Sequence, residues 1–237
     1  MEKTSFVVVG GSSGIGLEIT RRLVAKDYPV AVISRSVESL ADLPGVTHLP
    51  VDVTRDDIAA GNLPERIQGL AYCPGSIRLR PFHRLKEADF LADLQINLLG
   101  AVKAIQACLP GLKKAENPSS IVLFSTVAVG TGMPFHASIA SAKGALEGLT
   151  RSLAAEFAPK IRVNAVAPSL TDTNLAKMLL SDDGKRSAAA DRHPLKRFGT
   201  PGDIAAAATF LLEDASSWIT GQVMAVDGGM GSLRTFK

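Results

Sequence analysis

Cysteine is scarce in this chain: Cys73 and Cys108 stand far apart among 237 residues. Two distant thiols do not make the disulfide framework of a small secreted domain. With no signal-peptide pattern ahead of Ser5, a reduced, cytoplasmic setting is expected. Aromatic residues make up only 5% of the chain, and the net charge of +3 is not gathered into one run. Without a basic stripe interleaved with aromatics, no nucleic-acid partner is expected. No apolar run is long enough to cross a membrane, and internal repeats and low-complexity segments are absent. No metal is expected either. What the chain does have is a 46% hydrophobic content over 237 residues. That is enough for one sizeable core, and α/β folds of this length commonly form one domain, here residues 1–237.

The organising stretch is Phe6-Val7-Val8-Val9-Gly10-Gly11-Ser12-Ser13-Gly14-Ile15-Gly16. Its aromatic and β-branched start suits a strand buried on both faces of a parallel sheet. Gly10, Gly14 and Gly16 follow, and then Ile15, Ile19 and Leu23 fall at helical spacing. A glycine turn between a buried strand and a helix N-terminus lets backbone N–H groups approach a pyrophosphate, and the helix dipole favours its negative charge. The same pattern also serves as a plain tight turn, so the remainder of the chain must decide.

Val30 to Ile33 reads as a second strand, ending at Ser34-Arg35-Ser36. In dinucleotide folds this strand end meets the adenosine ribose, where an acidic residue selects a 2′-hydroxyl and arginine selects a 2′-phosphate. Here no carboxylate occurs until Glu38, which favours NADP(H). Val46 to Val51 is a third strand with Asp52-Val53 at its end, and Gly69 to Pro74 a fourth, closing with Gly75. A long helix is expected over about Glu87 to Leu109, with Phe90, Leu94, Leu98, Val102 and Ile105 on one face. Asn97 lies between them, either structural or holding a water near the active site. Ser120 to Ser125 is a fifth strand. A helix over about Ser138 to Phe157 follows, with Ser138 and Ser141 near its start in the usual place of caps. Ile161 to Ala167 is a sixth strand, ending at Pro168. Residues 169–198 are polar and helix-prone, either a lid over substrate or a surface insertion. A helix through Leu212 and a strand at Val223–Val226 complete an alternation that implies a doubly wound parallel sheet with helices on both faces.

Taken together these residues resemble the short-chain dehydrogenase/reductase family over nearly the whole chain. Gly10-x-x-x-Gly14-x-Gly16 is similar to its glycine turn, with Ser12, Ser13 and Ile15 inside it, although Val9 stands where threonine is usual. Asp52-Val53 is similar to the pair that contacts adenine, and Asn97 to the asparagine of the long helix. Asn164 through Pro168, with Thr173, is similar to the segment bordering the nicotinamide. Arg197 through Pro201 and Ile219 through Gly229 are similar to the C-terminal signature. The resemblance implies a Rossmann-type fold, an NADP(H)-dependent oxidoreductase and a small-molecule substrate. It also implies a homodimer or homotetramer formed by the helices around Glu87–Leu109 and Ser138–Phe157.

Two further departures matter most. Tyr72-Cys73-Pro74-Gly75 replaces Asn-Asn-Ala-Gly. The family's serine, tyrosine thirteen residues later and lysine four beyond that correspond to Thr126, Ile139 and Lys143. Threonine keeps a hydroxyl and Lys143 keeps the ribose-binding amine, but isoleucine donates no proton. Reducing a ketone generates an alkoxide, which needs a proton donor in the transition state. Reducing an enone or enoyl thioester generates an enolate, which is far less basic and needs hydrogen bonds more than immediate protonation. The missing phenol thus points toward C=C reduction. The enoyl-reductase branch carries its tyrosine seven residues before the lysine, where His136 stands here. His136 is then either the donor or a loop histidine. Two alternatives stay open: a cofactor-binding protein without turnover, and a carbonyl reductase with another proton donor.

Overall fold

The computed structural model describes residues 4–234. Seven parallel strands form one sheet in which the third, second, first, fourth, fifth, sixth and seventh strands of the chain lie side by side, and the order reverses between the first and the fourth. At such a switch point the loops leaving neighbouring strands turn to opposite faces and open a crevice at the carboxyl edge.

The chain begins with β1 (Ser5–Val9), α1 (Gly14–Val24), β2 (Val30–Ser34), β3 (Val46–Pro50) and β4 (Ile67–Tyr72). Successive β1 side chains face opposite ways. Val7 and Val9 join a core layer with Ile105, Cys108 and Leu146, whereas Phe6 and Val8 join Ile19, Leu23 and Leu211 on the other face. Both faces are therefore dry, which explains why β1 reads as an unbroken apolar run.

The expected long helix is divided. α2 (Glu87–Leu94) passes through a wide π turn (Gln95–Leu99) into α3 (Gly100–Lys113). Its physical cause is Tyr72, whose hydroxyl donates to the Ile96 carbonyl at 2.6 Å, while Gly100 N–H bonds back to Gln95 O. A Cβ on Gly100 would lie 2.2 Å from the Tyr72 hydroxyl oxygen, so the close approach depends on glycine. The expected stripe is buried in the core at Ile105, with Leu98 packed against it, but toward the N-terminus the buried face is polar. Asp89, Asp93 and Asn97 are buried, whereas Phe90, Leu94 and Leu98 are half-buried and Leu91 and Leu99 are exposed.

β5 (Ser119–Phe124) leads through the short α4 (Ala128–Thr131) to α5 (Ala137–Phe157), then β6 (Ile161–Pro168). Ser138 is not a cap: it is buried and donates to the Asp93 carboxylate. Ser141 bonds back to Ala137 O at 2.8 Å. Residues 169–198 hold a 3₁₀ segment (Asn174–Leu180) and α6 (Asp183–Arg192), and a Thr171–Gly199 bridge closes their base. Arg186 fixes α6, bonding Asp172 at 2.7 Å and lying 4.7 Å over the Phe198 ring. α7 (Pro201–Leu212) starts with a Thr200/Asp203 capping box and packs on α1, and β7 (Val223–Val226) closes the sheet. Among the described residues no helix is long and apolar enough to cross a membrane.

Candidate functional site

At the switch point lies a cavity of about 450 Å³, and the residues expected to hold the cofactor converge on it: Gly10, Ser12, Ser13, Gly14, Ile15, Gly16, Ser34, Arg35, Asp52, Val53, Gly75 and Thr173 all line it. The glycine turn is built for close approach. Gly10 and Gly14 have φ of +75° and +52°, the left-handed region that favours glycine. A Cβ on Gly16 would lie 2.3 Å from Gly10 O. Immediately afterwards α1 begins, with no acidic residue in its first turn and Ser13 providing no side-chain cap. Its first N–H groups face the cavity unneutralised, as an anion site requires.

At the far end Arg35 is exposed on the cavity wall, and Ser12 and Ser36 bring their hydroxyls within 3.4 Å of each other. The turn carrying Arg35 is braced from beneath. Ser34 donates to Ser36 O at 2.8 Å, which leaves the Ser34 hydroxyl oxygen and carbonyl to accept from His48 Nε2 at 3.0 and 3.1 Å. Asp52 accepts from the Thr54 hydroxyl and N–H, and these bonds lower its pKa. No carboxylate stands at the end of β2, so this rim combines one cation with two hydroxyls. The cradle fits a dinucleotide with an extra phosphate on its adenosine ribose.

Four residues were expected to carry chemistry. Two of them meet beside Gly75: a Cβ built there would lie 3.2 Å from Asn97 Oδ1 and 3.5 Å from Lys143 Nζ. Lys143 is 7% exposed and donates to Phe124 O at 2.6 Å. Burial lowers its pKa to about 8, with Cys73 and Asp93 opposing the fall. Asn97 is fully buried, and its Oδ1 is the one buried side-chain polar atom without a hydrogen-bond partner among the described residues. A buried acceptor left open in this way is a place for a donor.

Thr126, just past β5, is half-buried and its oxygen accepts from Ala128 N at 3.3 Å. His136 sits at the start of α5, with Nδ1 2.7 Å from Pro134 O. None of the four lines the cavity itself: Thr126 and His136 stand away from it, and Asn97 and Lys143, the latter also expected to hold the cofactor ribose, lie behind Gly75. Ile139 is 5% exposed and lies one helical turn before Lys143. Pro168 ends β6 outside the cavity lining, its carbonyl accepting from Val127 N at 3.1 Å.

The stretch that departs from the family borders the cavity, and some of its neighbours escaped sequence reading. Cys73 lines the cavity, and burial raises its thiol to about 12. Asp93 and Ser76 join Asn97 in one network. The available signal was the spacing of Asp89, Asp93 and Asn97, which recurs every four residues and puts three polar groups on one helix face.

Comparison with known proteins agrees with this geometry. The family model described as Enoyl-(Acyl carrier protein) reductase matches residues 9–231. A 2-(S)-hydroxypropyl-CoM dehydrogenase 3 from Xanthobacter autotrophicus is 34% identical over 245 residues, covering 95% of this chain and 96% of that protein. An inactive 2-(S)-hydroxypropyl-CoM dehydrogenase 2 from the same organism is 41% identical over 145 residues, 59% of this chain and 63% of that one. Among solved structures, ElxO with NADP bound superposes with a TM-score of 0.88 at 27% identity, covering 98% of this chain and all of that one, 100%.

Proposed function

Since the chain belongs to the short-chain dehydrogenase/reductase family, we propose that it is an NADP(H)-dependent oxidoreductase reducing an activated C=C bond of a small-molecule substrate. The solved relative with NADP bound supports the choice of cofactor. So does the cradle itself: the glycine turn and the α1 N-terminus suit the pyrophosphate, and Arg35, Ser12 and Ser36 suit the 2′-phosphate. Bound NADPH supplies a hydride.

The observation that carries the choice of reaction is Ile139, a buried aliphatic side chain one turn before Lys143. With no phenol at that place, a strongly basic alkoxide lacks its acid, whereas an enolate asks mainly for hydrogen-bond donors. Thr126 has an O–H to give, and Lys143 has an ammonium whose lowered pKa keeps it an effective acid near neutrality. Asn97 Oδ1 is positioned to accept from Lys143 or from an intervening water. His136 is the further candidate donor. The family model's description as an enoyl reductase favours the same reaction.

Residues 169–198 act in this reading as the substrate lid, since Thr173, Asn174 and Leu175 already border the cavity. The half-buried Phe90, Leu94 and Leu98, with exposed Leu91 and Leu99, support a homodimer or homotetramer through α2, α3 and α5. A second reading, cofactor binding without turnover, is favoured by the resemblance to a relative described as inactive. Following NADPH consumption against enones, enoyl thioesters and ketones separates them. C=C substrates consumed well above ketones support the proposal; tight NADPH binding with no consumption supports the second reading.

A further inference from the structure

We propose that Asp93 is a positioning residue of this site: through Ser76 it fixes which way the Asn97 carboxamide faces, and through Ser138 it anchors the turn of α5 that carries Ile139 and Lys143. The inference deepens the function proposed above, and its kinetic arm rests on that reading.

Asp93 is completely buried on α2. Its Oδ1 accepts from the Ser76 hydroxyl at 2.7 Å, and its Oδ2 accepts from the Ser138 hydroxyl. Arg78 Nε lies 3.9 Å from Oδ1, while Arg78 also pairs with Asp89. A buried carboxylate is costly even when well bonded, and an apolar side chain of similar size commonly fills such a place at lower cost. What the carboxylate adds is direction.

Counting protons fixes that direction. Ser76 has a single proton, given to Asp93, so its oxygen accepts from Asn97 Nδ2 at 3.0 Å. The second amide proton goes to the Asp93 backbone carbonyl at 2.8 Å. Both amide protons are thereby spent on the Asp93 side, and Oδ1 is left facing the space beside Gly75 and Lys143. A flipped carboxamide would set two oxygens against each other at the Asp93 carbonyl. It would also compete with Asp93 for the one Ser76 proton. The carboxylate therefore selects one of two orientations, and the selected one presents an acceptor to the site.

Ser138 supplies the other tie. It precedes Ile139 directly and Lys143 by five residues, so its bond to Asp93 joins α2 to the first turns of α5. Around Lys143, Asp93 faces it from α2 and Cys73 from the end of β4, both raising its pKa. Arg78 and Asp89 stand behind Asp93, and Glu147, one turn further along α5, is occupied by Ser125 and Arg151. Removing the charge of Asp93 is therefore expected to move the Lys143 midpoint to lower pH.

The test uses the full chain with two substitutions, Asp93→Asn and Ser76→Ala. The Lys143 titration is followed by ¹³C NMR of labelled lysine, assigned with Lys143→Met, and the Asn97 side-chain amide by hydrogen exchange. Asp93→Asn is expected to move the Lys143 midpoint to lower pH. It should also cut kcat about tenfold or more, the scale of a misplaced catalytic group, while NADPH affinity holds. Ser76→Ala should speed Asn97 amide exchange about tenfold and lower kcat, with the Lys143 midpoint unmoved. If both variants fold with the titration and the exchange unchanged, the proposal is overturned. If Asp93→Asn does not fold, Ser76→Ala decides alone: faster exchange supports the proposal and unchanged exchange overturns it. Should no acceptor consume NADPH, the functional reading fails while both NMR measurements still decide the role of Asp93.

Discussion

Replacing Lys143 with methionine should stabilise the cofactor-free protein while abolishing its chemistry. Methionine keeps the apolar stem and removes a buried ammonium whose one hydrogen bond among the described residues goes to Phe124 O. Burial pulls the amine from 10.5 to about 8, so at pH 7 holding the proton in the folded state costs roughly 3 kcal/mol. Losing this charge-assisted bond to Phe124 takes back about 1.5–3 kcal/mol. The net gain is up to about 1.5 kcal/mol, or up to roughly 3–6 °C in Tm for a chain of this size. The sign with pH follows from linkage. Between about 8 and 10.5 the folded state binds fewer protons than the unfolded chain, so the unmutated protein gains stability as pH rises through that window. The advantage of Lys143→Met should therefore shrink with rising pH and reverse above it. Scanning calorimetry of both proteins at pH 7 and pH 10 reads this directly. A variant less stable by the same amount at both values would show that the ammonium is well compensated, and would refute the reasoning.

Three further outcomes are expected. Arg35→Ala should weaken NADPH binding by roughly 1–3 kcal/mol, the range for a hydrogen bond to a charged group, and leave NADH nearly unaffected; calorimetry finding tighter NADH than NADPH binding before mutation would contradict the Arg35 assignment. Light scattering at micromolar concentration should give the mass of a dimer or tetramer, and a monomer's mass would contradict the use of α2, α3 and α5 as an interface. His136→Ala should slow turnover by up to about 10²–10⁴-fold if the histidine is the acid; an unchanged rate assigns protonation to Lys143, to Thr126 or to solvent.

The parts of the fold that could be read from sequence were those governed by local patterns. The β-branched runs at Val7–Val9, Val30–Ile33 and Ile121–Leu123 are buried strands, because a sheet covered on both faces needs continuous apolar character. The glycine turn was legible because its spacing reflects the backbone approach of Gly16 to Gly10. What was not legible arises from tertiary contacts. The π turn exists because Tyr72, over twenty residues earlier, reaches the Ile96 carbonyl, and no helical periodicity encodes that. The apolar row from Phe90 to Leu98 masked the row from Asp89 to Asn97, since leucines on a helix normally mark its buried face. Ser138 looked like a cap until its carboxylate partner on α2 came into view.

The central claim, that hydride goes to the β-carbon and not to a carbonyl carbon because Ile139 offers no acid, is tested most directly by isotope placement. The protein is supplied with NADPH deuterated at the transferred position and with an enone, which offers both carbons in one molecule. Mass spectrometry and NMR of the product should find deuterium at the β-carbon and a solvent-derived proton at the α-carbon. Deuterium at the carbonyl carbon would mean that some other group supplies the missing acid, and that the argument from Ile139 is wrong.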